Sequence, residues 1–513
     1  MDGDIESGKP GRAGVREWLG LGVLALPTLL LAIDATVLYL ALPHLEADLR
    51  PSATEALWII DIYGFMIAGL LVTMGRLGDR IGRRKLLMIG ALAFGAASVA
   101  AAYATDPAVL VVARALLGIA GATLMPSTLA LISTMFHDAR QRGLAIAVWA
   151  ACFSAGVAIG PLVGGAMLQV FWWGSVFLLA VPVMVLLLVA APLLLPESRD
   201  PGAGRLDLTS VALSLAAILP VVYGVKTAAA DGLSLLPTAA ILAGIGLGVL
   251  FVRRQRSMSD PLLDVRLFAR PAFLGALLAL LVGLATVGVI YLYGTQYLQL
   301  VAGLTPLAAG LWLLPSALAM IVSSVAAPAL AARMPAGPLV ATALAVSGAG
   351  YLVLTFVDAS GGIAMVVVGL VVVYAGIGPL MALGTDLVVG AAPAERAGSA
   401  AAMSETAMEF GLALGVALLG SLGAAVYRAG MDGVVPGDAA TASRESLSGA
   451  LAVADTGIGP AADVARAAFT SGMNAIGLAC AVMTMVAAVL TAVLLRRPAG
   501  HAGKPVREDA ATA

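Results

Sequence analysis

Residues 75–85 read GRLGDRIGRRK, a short basic turn built around three glycines. On either side of it lie two long apolar runs, 56–76 and 86–104. Because a bilayer core about 30 Å thick takes roughly 20 apolar residues per helical crossing, each run is long enough to span a membrane. Positive charges are enriched in cytoplasmic turns, so this stretch predicts a helical hairpin that crosses the membrane twice, with its turn inside the cell.

The composition of the whole chain also indicates a membrane protein. Of its 513 residues, 61% are hydrophobic and only 12% are charged. Soluble globular proteins have about 45–50% apolar and 25% charged residues, so an ordinary soluble enzyme and a disordered chain are both excluded. Lys and Arg number 29 against 30 Asp and Glu, with no long basic run, which disfavours nucleic-acid binding.

The cysteines and the amino terminus further restrict the possible classes of protein. Cys152 and Cys480 fall inside apolar stretches, so neither a disulfide framework nor a metal site is expected. Residues 1–17 mix acidic and basic side chains, and no small-residue cleavage signal follows an apolar segment there. We therefore expect the first apolar segment to remain in the protein.

Apolar runs bounded by charges, proline and glycine predict an all-α polytopic membrane protein with fourteen membrane helices. The helices form an amino-terminal group of six (18–195), an inserted pair (207–252) and a carboxyl-terminal group of six (272–495). Outside the membrane we expect the tails 1–17 and 496–513 and a polar loop, 427–468, before the last helix. The predicted helices are 18–40, 56–76, 86–104, 108–134, 143–168, 174–195, 207–228, 236–252, 272–294, 305–332, 338–357, 361–388, 399–426 and 469–495.

The positive charges predict the orientation. With both termini in the cytoplasm, 23 of the 29 Lys and Arg residues lie inside, five lie outside or at the outer edge, and Arg114 lies in the membrane. Cytoplasmic segments carry the Lys and Arg excess, so both termini and the 75–85 turn are predicted to be cytoplasmic. The predicted location is the cell membrane, with lipids as neighbours of the helices.

A few ionisable residues fall inside the predicted helices, where an unpaired charge costs several kcal/mol, so each is a functional candidate. At about 1.5 Å per residue, Asp34, Asp61 and Arg114 all lie about 8–10 Å below the outer ends of their helices. If the helices are neighbours, the three side chains converge in the outer half of a cavity. Arg114 would then keep one carboxylate ionised while the other exchanges protons.

Glu405 and Glu409 lie near mid-depth in the thirteenth helix. Four residues apart, they share one face of that helix and repel each other when both are ionised. Such a pair can exchange a proton or attract an organic cation. Any of the membrane acids could instead be a structural partner of a backbone or hydroxyl group, although a structural role would not need two glutamates.

Other polar and aromatic side chains lie closer to the membrane surface. We interpret Lys226 and Asp386 as interfacial residues that reach towards water. Aromatic side chains could stack on a cationic ligand, although most of them lie at depths where aromatic belts form. The aromatic candidates for substrate contact are Trp58, Tyr63, Phe65 and Trp312.

Taken with its position after the second helix, the 75–85 turn resembles the signature loop of the major facilitator superfamily. In that resemblance the gating loop comprises Gly75, Gly78, Asp79, Arg80, Gly82, Arg83 and Arg84. Residues 31–37, LAIDATV, followed by ALP at 41–43, resemble the first-helix motif of the fourteen-span drug:proton antiporters. Arg114 with Gly118 and Gly121 resembles a fourth-helix motif whose arginine is implicated in proton coupling. The fifth helix resembles the antiporter motif of exporters through Gly156, Gly160, Pro161, Gly164 and Gly165.

The segment 397–411, AGSAAAMSETAMEFG, looks most like the thirteenth helix of quaternary-ammonium and dye efflux pumps. Asp61 in the second helix also resembles an acid found in the second helix of the same subgroup of pumps. Those pumps can carry another acid where Ser404 stands here, and some exporters of divalent cations have an acid in the tenth helix, whereas 305–332 contains none. The resemblance therefore implies export of lipophilic monovalent cations.

The resemblance also implies the architecture. Helices 1–6 and 9–14 would form two six-helix bundles around a cavity, with helices 7 and 8 inserted, and the halves would rock in alternating access. The second copy of the signature loop, 331–337, keeps only Arg333, so the two halves would not be equivalent gates.

These observations predict a proton-driven multidrug exporter of hydrophobic, mainly cationic compounds, acting as a monomer and conferring antibiotic resistance. No Gly-rich loop ending in Gly-Lys-Ser/Thr is present, so the proton gradient, rather than ATP or a bound cofactor, would supply the energy. Within the same class, the alternative is an exporter dedicated to one natural product. An intramembrane enzyme or sensor is disfavoured because His44, His137 and His501 lie in loops or in the tail.

Overall fold

The computed structural model describes residues 13–199, 207–232, 234–258, 261, 263–393, 396–435, 439–454 and 461–495. Most of the predicted tail 1–17, and the whole tail 496–513, lie outside the described residues. Within the described ranges, fourteen helices are long and apolar enough to cross a membrane, as predicted. They are α1 (Val15–Leu49), α2 (Ala53–Ile81), α3 (Arg83–Ala102), α4 (Pro107–Met135), α5 (Ala139–Val170), α6 (Ser175–Leu194), α7 (Leu208–Asp231), α8 (Leu235–Ser257), α9 (Pro271–Gln296), α10 (Pro306–Ala331), α11 (Ala336–Leu354), α12 (Ile363–Gly390), α13 (Ala397–Met431) and α14 (Ala461–Leu494).

Local sequence fixes several of the helix starts and turns. Ser52 caps α2, and its backbone N–H in turn donates to the Glu55 carboxylate at 2.9 Å, which together form a capping box. Asp106 caps α4, and Pro107 occupies the first helical position, where its missing N–H costs nothing. Between α2 and α3 the chain turns at Gly82 with φ of 114°, a backbone conformation that favours glycine.

The helices pack as two bundles. Helices α1 to α6 contact one another, and so do α9 to α14. Helices α7 and α8 pack on each other, and α7 also lies against α2 and α13, so the inserted pair covers one seam between the bundles. We call the side that holds the 75–85 turn the inner side, following the charge prediction, and the opposite side the outer side.

A polar cluster fixes the inner end of the inserted pair. Asp207 accepts hydrogen bonds from the backbone of Ser210 and from Arg254 on α8, whose Nη2 lies 3.0 Å away. Partial burial acts to raise the pKa of Asp207, but the bonds from Ser210 and Arg254 outweigh it and hold that pKa below its usual range. The buried Gln255 donates to Ser210 Oγ at 2.6 Å and accepts from the backbone of Leu263, which ties α8 to the segment before α9.

On the outer side the loop predicted over 427–468 is more structured than expected. Helix α13 continues to Met431, and α14 begins at Ala461, eight residues earlier than predicted. Between them lie two short helices, Ala439–Glu445 and Leu447–Ala454, which we call the outer helices. Alanine-rich sequence with scattered polar residues extends a helix into water as readily as it forms a loop, so hydrophobicity alone misplaced these ends.

The two bundles meet on the outer side through small residues. An ideal Cβ at Gly165 of α5 would lie 2.7 Å from backbone atoms of Leu307 and Pro306 at the start of α10, and one at Gly310 would lie 2.6 Å from the Pro161 carbonyl. Gln299, just after α9, donates to the Leu40 carbonyl of α1 at 3.2 Å. These contacts close the outer end of the seam between α5 and α10 and between α1 and α9.

We expect Gly165→Val to obstruct this closure, because the added side chain would meet backbone atoms that cannot rotate away. The measurement is labelling of Leu40→Cys by a membrane-impermeant thiol reagent, in a background lacking Cys152 and Cys480. Leu40 is 0% exposed and lies at the Gln299 contact, so labelling should be slow in the parent and several-fold faster with Gly165→Val. The control is Gly143→Val on the same helix, where an ideal Cβ meets nothing within 4 Å. Equal labelling in both variants would contradict the closure.

Candidate substrate and proton site

Arg114 is held inside the amino-terminal bundle by three groups. Its side chain is 2% exposed, and Nη1 donates to Asp34 Oδ2 at 2.9 Å. Its Nε donates to the Ile59 carbonyl at 3.1 Å, and the guanidinium lies 4.4 Å from the centre of the Tyr63 ring. A charge-assisted hydrogen bond combined with stacking compensates the desolvation of the guanidinium. The predicted meeting of Arg114 with Asp34 is therefore present.

Helix α4 can approach α2 this closely because Gly118 has no side chain. An ideal Cβ there would lie 2.5 Å from the Tyr63 carbonyl oxygen. The glycine of the sequence motif thus has a packing role next to the arginine, since any side chain would push α4 away from the ring that supports Arg114.

Asp61 does not join this pair, which corrects the predicted convergence of three side chains. Residues 61 and 63 project about 200° apart around a helix, so Asp61 leaves α2 on the face away from Arg114. There its Oδ2 lies 2.7 Å from Lys226 Nζ of α7, with both side chains fully buried. The Lys226 ammonium also lies 4.0 Å from the centre of the Trp58 ring.

The interpretation of Lys226 as an interfacial residue was therefore wrong. Depth along the helix suggested a side chain that reaches water, but α7 lies in the seam between α2 and α13 and turns Lys226 towards Asp61. Asp386, read in the same way, is exposed as expected.

Glu405 and Glu409 on α13 are half-buried, so both remain accessible although they lie deep in the bundle. Glu409 is within electrostatic range of Glu405 and of Tyr39 and Tyr63, and the Arg114 guanidinium lies over the Tyr63 ring. Neither glutamate forms an ion pair with any residue in the described part of the chain. They are thus accessible acids without a fixed counter-charge.

The predicted aromatic contacts point elsewhere. The Trp58 ring contacts Lys226, and the Tyr63 ring contacts Arg114. Phe65 is buried, with its ring centre 6.0 Å from that of Phe410. Trp312 of α10 is 45% exposed and lies away from these buried rings. The position of a residue along its predicted helix gives its depth in the membrane, but it does not show which face of the helix the side chain occupies.

Three tyrosines that the sequence did not single out as a group lie between the bundles instead. The ring centre of Tyr291 on α9 is 5.3 Å from that of Tyr39 on α1 and 6.4 Å from that of Tyr374 on α12. Tyr39 is also within electrostatic range of Arg114 and Glu409. Their positions depend on three helices from two bundles, so no local sequence signal identifies them.

The predicted gating loop is tied to the end of α6. Arg83 donates to Asp79 at 2.8 Å, and Arg84 donates to the Leu195 carbonyl at 2.9 Å while its backbone N–H donates to Glu197. Arg76 donates to the Pro261 carbonyl at 3.0 Å, which joins the loop to the segment before α9. Gly78 leaves room for the Arg83 side chain, since an ideal Cβ would lie 2.9 Å from it, and Arg80 is exposed. Glu197 was not predicted as a partner.

The antiporter-motif glycines serve two contacts. Ideal Cβ atoms at Gly156 and Gly160 would lie within 2.5 Å of Leu29 and Thr36 on α1, and one at Gly164 would lie 3.1 Å from Val37. Gly165 and the Pro161 carbonyl face α10. The small residues of this motif therefore let α5 pack closely against α1 of its own bundle on one face and against α10 of the other bundle on a neighbouring face.

Comparison with known proteins identifies the family. The model of the Major Facilitator Superfamily matches residues 24–416. The chain belongs to the major facilitator superfamily. It is 46% identical to the multidrug efflux pump LfrA of Mycolicibacterium smegmatis over 95% of this chain and 98% of that protein. It is 38% identical to the methyl viologen resistance protein SmvA of Salmonella typhimurium over 79% of this chain and 82% of that protein. It is 32% identical to the tetracenomycin C resistance and export protein of Streptomyces glaucescens over 94% of this chain and 91% of that protein.

Solved structures agree on the fold. A bacterial homolog of the human lysosomal transporter Spinster, crystallised inward-facing and unoccupied, matches with a TM-score of 0.65 at 17% identity, over 94% of this chain and 98% of that one. This superfamily member is thus a multi-pass cell-membrane transporter of small molecules and not an enzyme, and its relatives are multidrug efflux pumps and antibiotic exporters.

The buried pair Asp61–Lys226 predicts a specific pattern of stability. Asp61→Asn or Lys226→Met alone leaves one charge without its partner, so each should lower the free energy of unfolding by about 3–5 kcal/mol. The double variant removes both charges and should recover most of the loss. Thermal unfolding of the purified protein in detergent measures the effect, with Asp386→Asn, an exposed acid, as the control. Additive losses in the double variant would show that the two residues act independently.

Proposed function

We propose that the protein is a proton-coupled multidrug exporter, which moves lipophilic, mainly cationic compounds outwards in exchange for protons. The observation that carries the proposal is the Glu405–Glu409 pair, two half-buried carboxylates without an ion-pair partner in the described ranges. Accessible acids inside a membrane bundle are costly, and they persist where they bind an ion, a proton or a substrate.

Antiport follows from competition at these carboxylates. When both glutamates are ionised they repel each other, and either a proton or an organic cation relieves that repulsion. The two ligands are then mutually exclusive at one site. A proton arriving from the outer side releases the cation there, and loss of the proton to the inner side restores the site for the next cation.

Asp34 and Arg114 support this exchange. Arg114 Nη1 contacts Asp34 directly at 2.9 Å, and Tyr63, over which the guanidinium lies, is within electrostatic range of Glu409, so a change of charge at the glutamates changes the field at this pair. Asp61 contributes indirectly in this proposal. Lys226 neutralises it, and their contact anchors the inserted helices to α2.

The substrate class is proposed from the chemistry of the site. Two adjacent carboxylates and the tyrosines between the bundles suit a lipophilic cation. In the resemblance to exporters of divalent cations, which can carry an acid in the tenth helix, the absence of an acid from 305–332 favours monovalent substrates. One relative, however, is named for resistance to methyl viologen, which is a dication. Transport of methyl viologen beside ethidium measures which charge class the glutamate pair accepts.

Asp34→Asn and Glu409→Gln should each reduce ethidium uptake into energised inside-out vesicles, which corresponds to efflux from the cell, by about tenfold or more, since each removes a carboxylate from the exchange site. Asp386→Asn removes an exposed acid of α12 and should leave efflux unchanged. Substrate-induced proton release by the purified protein in detergent should fall in the same two variants. Normal efflux in both variants would exclude the proposed mechanism.

An exporter dedicated to a single natural product is the second candidate, because the tetracenomycin C exporter is also a relative. The multidrug function is favoured by the higher identity to LfrA over nearly the full chain. A strain that overproduces the protein should resist dyes, quaternary ammonium compounds and biguanides together. Resistance confined to one antibiotic would favour the dedicated exporter.

A further inference from the structure

A polar cavity lies on the outer side, between the two bundles and below the outer helices. Helices α1 and α2 form one wall, α9, α13 and α14 form the other, and residues 445–447 form the roof. On α1 the cavity is lined by Leu42 and Glu46, which lie about 12 Å and 18 Å of helix beyond Asp34. Its lining includes none of the acids of the proposed exchange site.

Glu46 of α1 is a carboxylate without a cation in this cavity. Its side chain is 8% exposed, and Oε2 accepts a hydrogen bond of 2.6 Å from Ser448 of the outer helices. Within the described ranges it has no ion-pair partner. A buried carboxylate with one neutral hydrogen-bond donor is poorly compensated, so a cation brought next to it would be bound favourably.

Gln296 of α9 faces the same cavity and is 9% exposed. Its side-chain amide forms no hydrogen bond with any described residue, and its polar atoms keep some exposure to the cavity. The helix changes to a π-helical turn, Tyr297–Val301, immediately after it, and such turns are frequent at functional sites. Gln296 therefore offers an unpaired side-chain carbonyl oxygen to the same cavity as the Glu46 carboxylate.

The other walls select the ligand. Tyr293 and Phe469 stack with ring centres 5.2 Å apart, and Leu57 and Leu447 add apolar surface. Glu445, which also lines the cavity, is held by the backbone N–H of Ala53 at 2.7 Å and makes the cavity more negative. Aromatic rings beside carboxylates bind alkylammonium groups and repel anions. The cavity has a volume of only about 60 Å³, so a compact head group fits better than a planar dye.

We propose that this outer cavity is a second binding site, which takes the ammonium head group of organic monocations through Glu46 and Gln296. Only its place on the exit path rests on the proposed export function. The roof belongs to the outer helices, so a cation held here is the last contact of the substrate with the protein before release.

The test is equilibrium binding of a compact spin-labelled monocation, 4-trimethylammonium-TEMPO, to the purified full-length protein in detergent, followed by electron paramagnetic resonance. We expect two bound probes per protein in the parent and one in Glu46→Gln, which keeps a polar group opposite Ser448. Gln296→Leu should weaken the same site by about tenfold, because the cation loses a direct polar contact. Asp432→Asn is the matched control, since it removes a negative charge on the same side from an exposed residue paired with Arg444.

Glu405→Gln with Glu409→Gln separates this site from the exchange site. If the outer site exists, this double variant retains one probe, and adding Glu46→Gln abolishes it. Binding that is lost with the central glutamates and unaffected by Glu46→Gln and Gln296→Leu overturns the outer site but leaves the proposed function standing. Binding that depends on Glu46 alone supports the outer site and counts against the central one. Absence of binding in the parent overturns the outer site, and thermal unfolding of each variant verifies that it is folded.

Discussion

The burial of the Arg114 guanidinium is the constraint on which the amino-terminal bundle depends. An arginine cannot lose its charge, and in a membrane interior that charge must be compensated by nearby groups. Here compensation comes from Asp34 on α1 and from Ile59 and Tyr63 on α2. One side chain of α4 therefore fixes the spacing of three helices. The glycine at 118 is a consequence, since the helices reach that spacing only where no side chain intervenes.

The charges within the membrane divide into two classes with different consequences. Arg114–Asp34 and Lys226–Asp61 are compensated pairs, and each joins two helices at a defined distance. Glu405, Glu409 and Glu46 have no such partner in the described structure. A compensated pair stabilises one geometry, whereas an uncompensated carboxylate gains free energy from any cation or proton that reaches it. The second class is where ligand exchange is expected, and it lies along the interface between the bundles.

The sequence predicted features that depend on one helix at a time. The fourteen spans follow from apolar length, and the shared face of Glu405 and Glu409 follows from a spacing of four residues. Features that depend on the neighbours of a helix were predicted less well. Asp34 and Asp61 lie at similar depth, yet Asp61 leaves α2 on the face towards α7, and only the position of the inserted helices explains its pairing with Lys226.

The placement of the charges also determines how easily the bundles can move relative to each other. The Arg114–Asp34 pair lies entirely within the amino-terminal bundle, and the Asp61–Lys226 pair joins that bundle to the inserted helices. The outer contacts between the bundles are made instead by glycines against backbone and by hydrogen bonds such as that from Gln299 to Leu40. Separating opposite charges in a medium of low dielectric constant would cost several kcal/mol, whereas parting small residues loses only close packing. Among the described residues, no ion pair crosses the outer seam between α5 and α10 or between α1 and α9. That seam can therefore open and close while the Arg114–Asp34 and Asp61–Lys226 contacts stay intact, which is the property that alternating access requires.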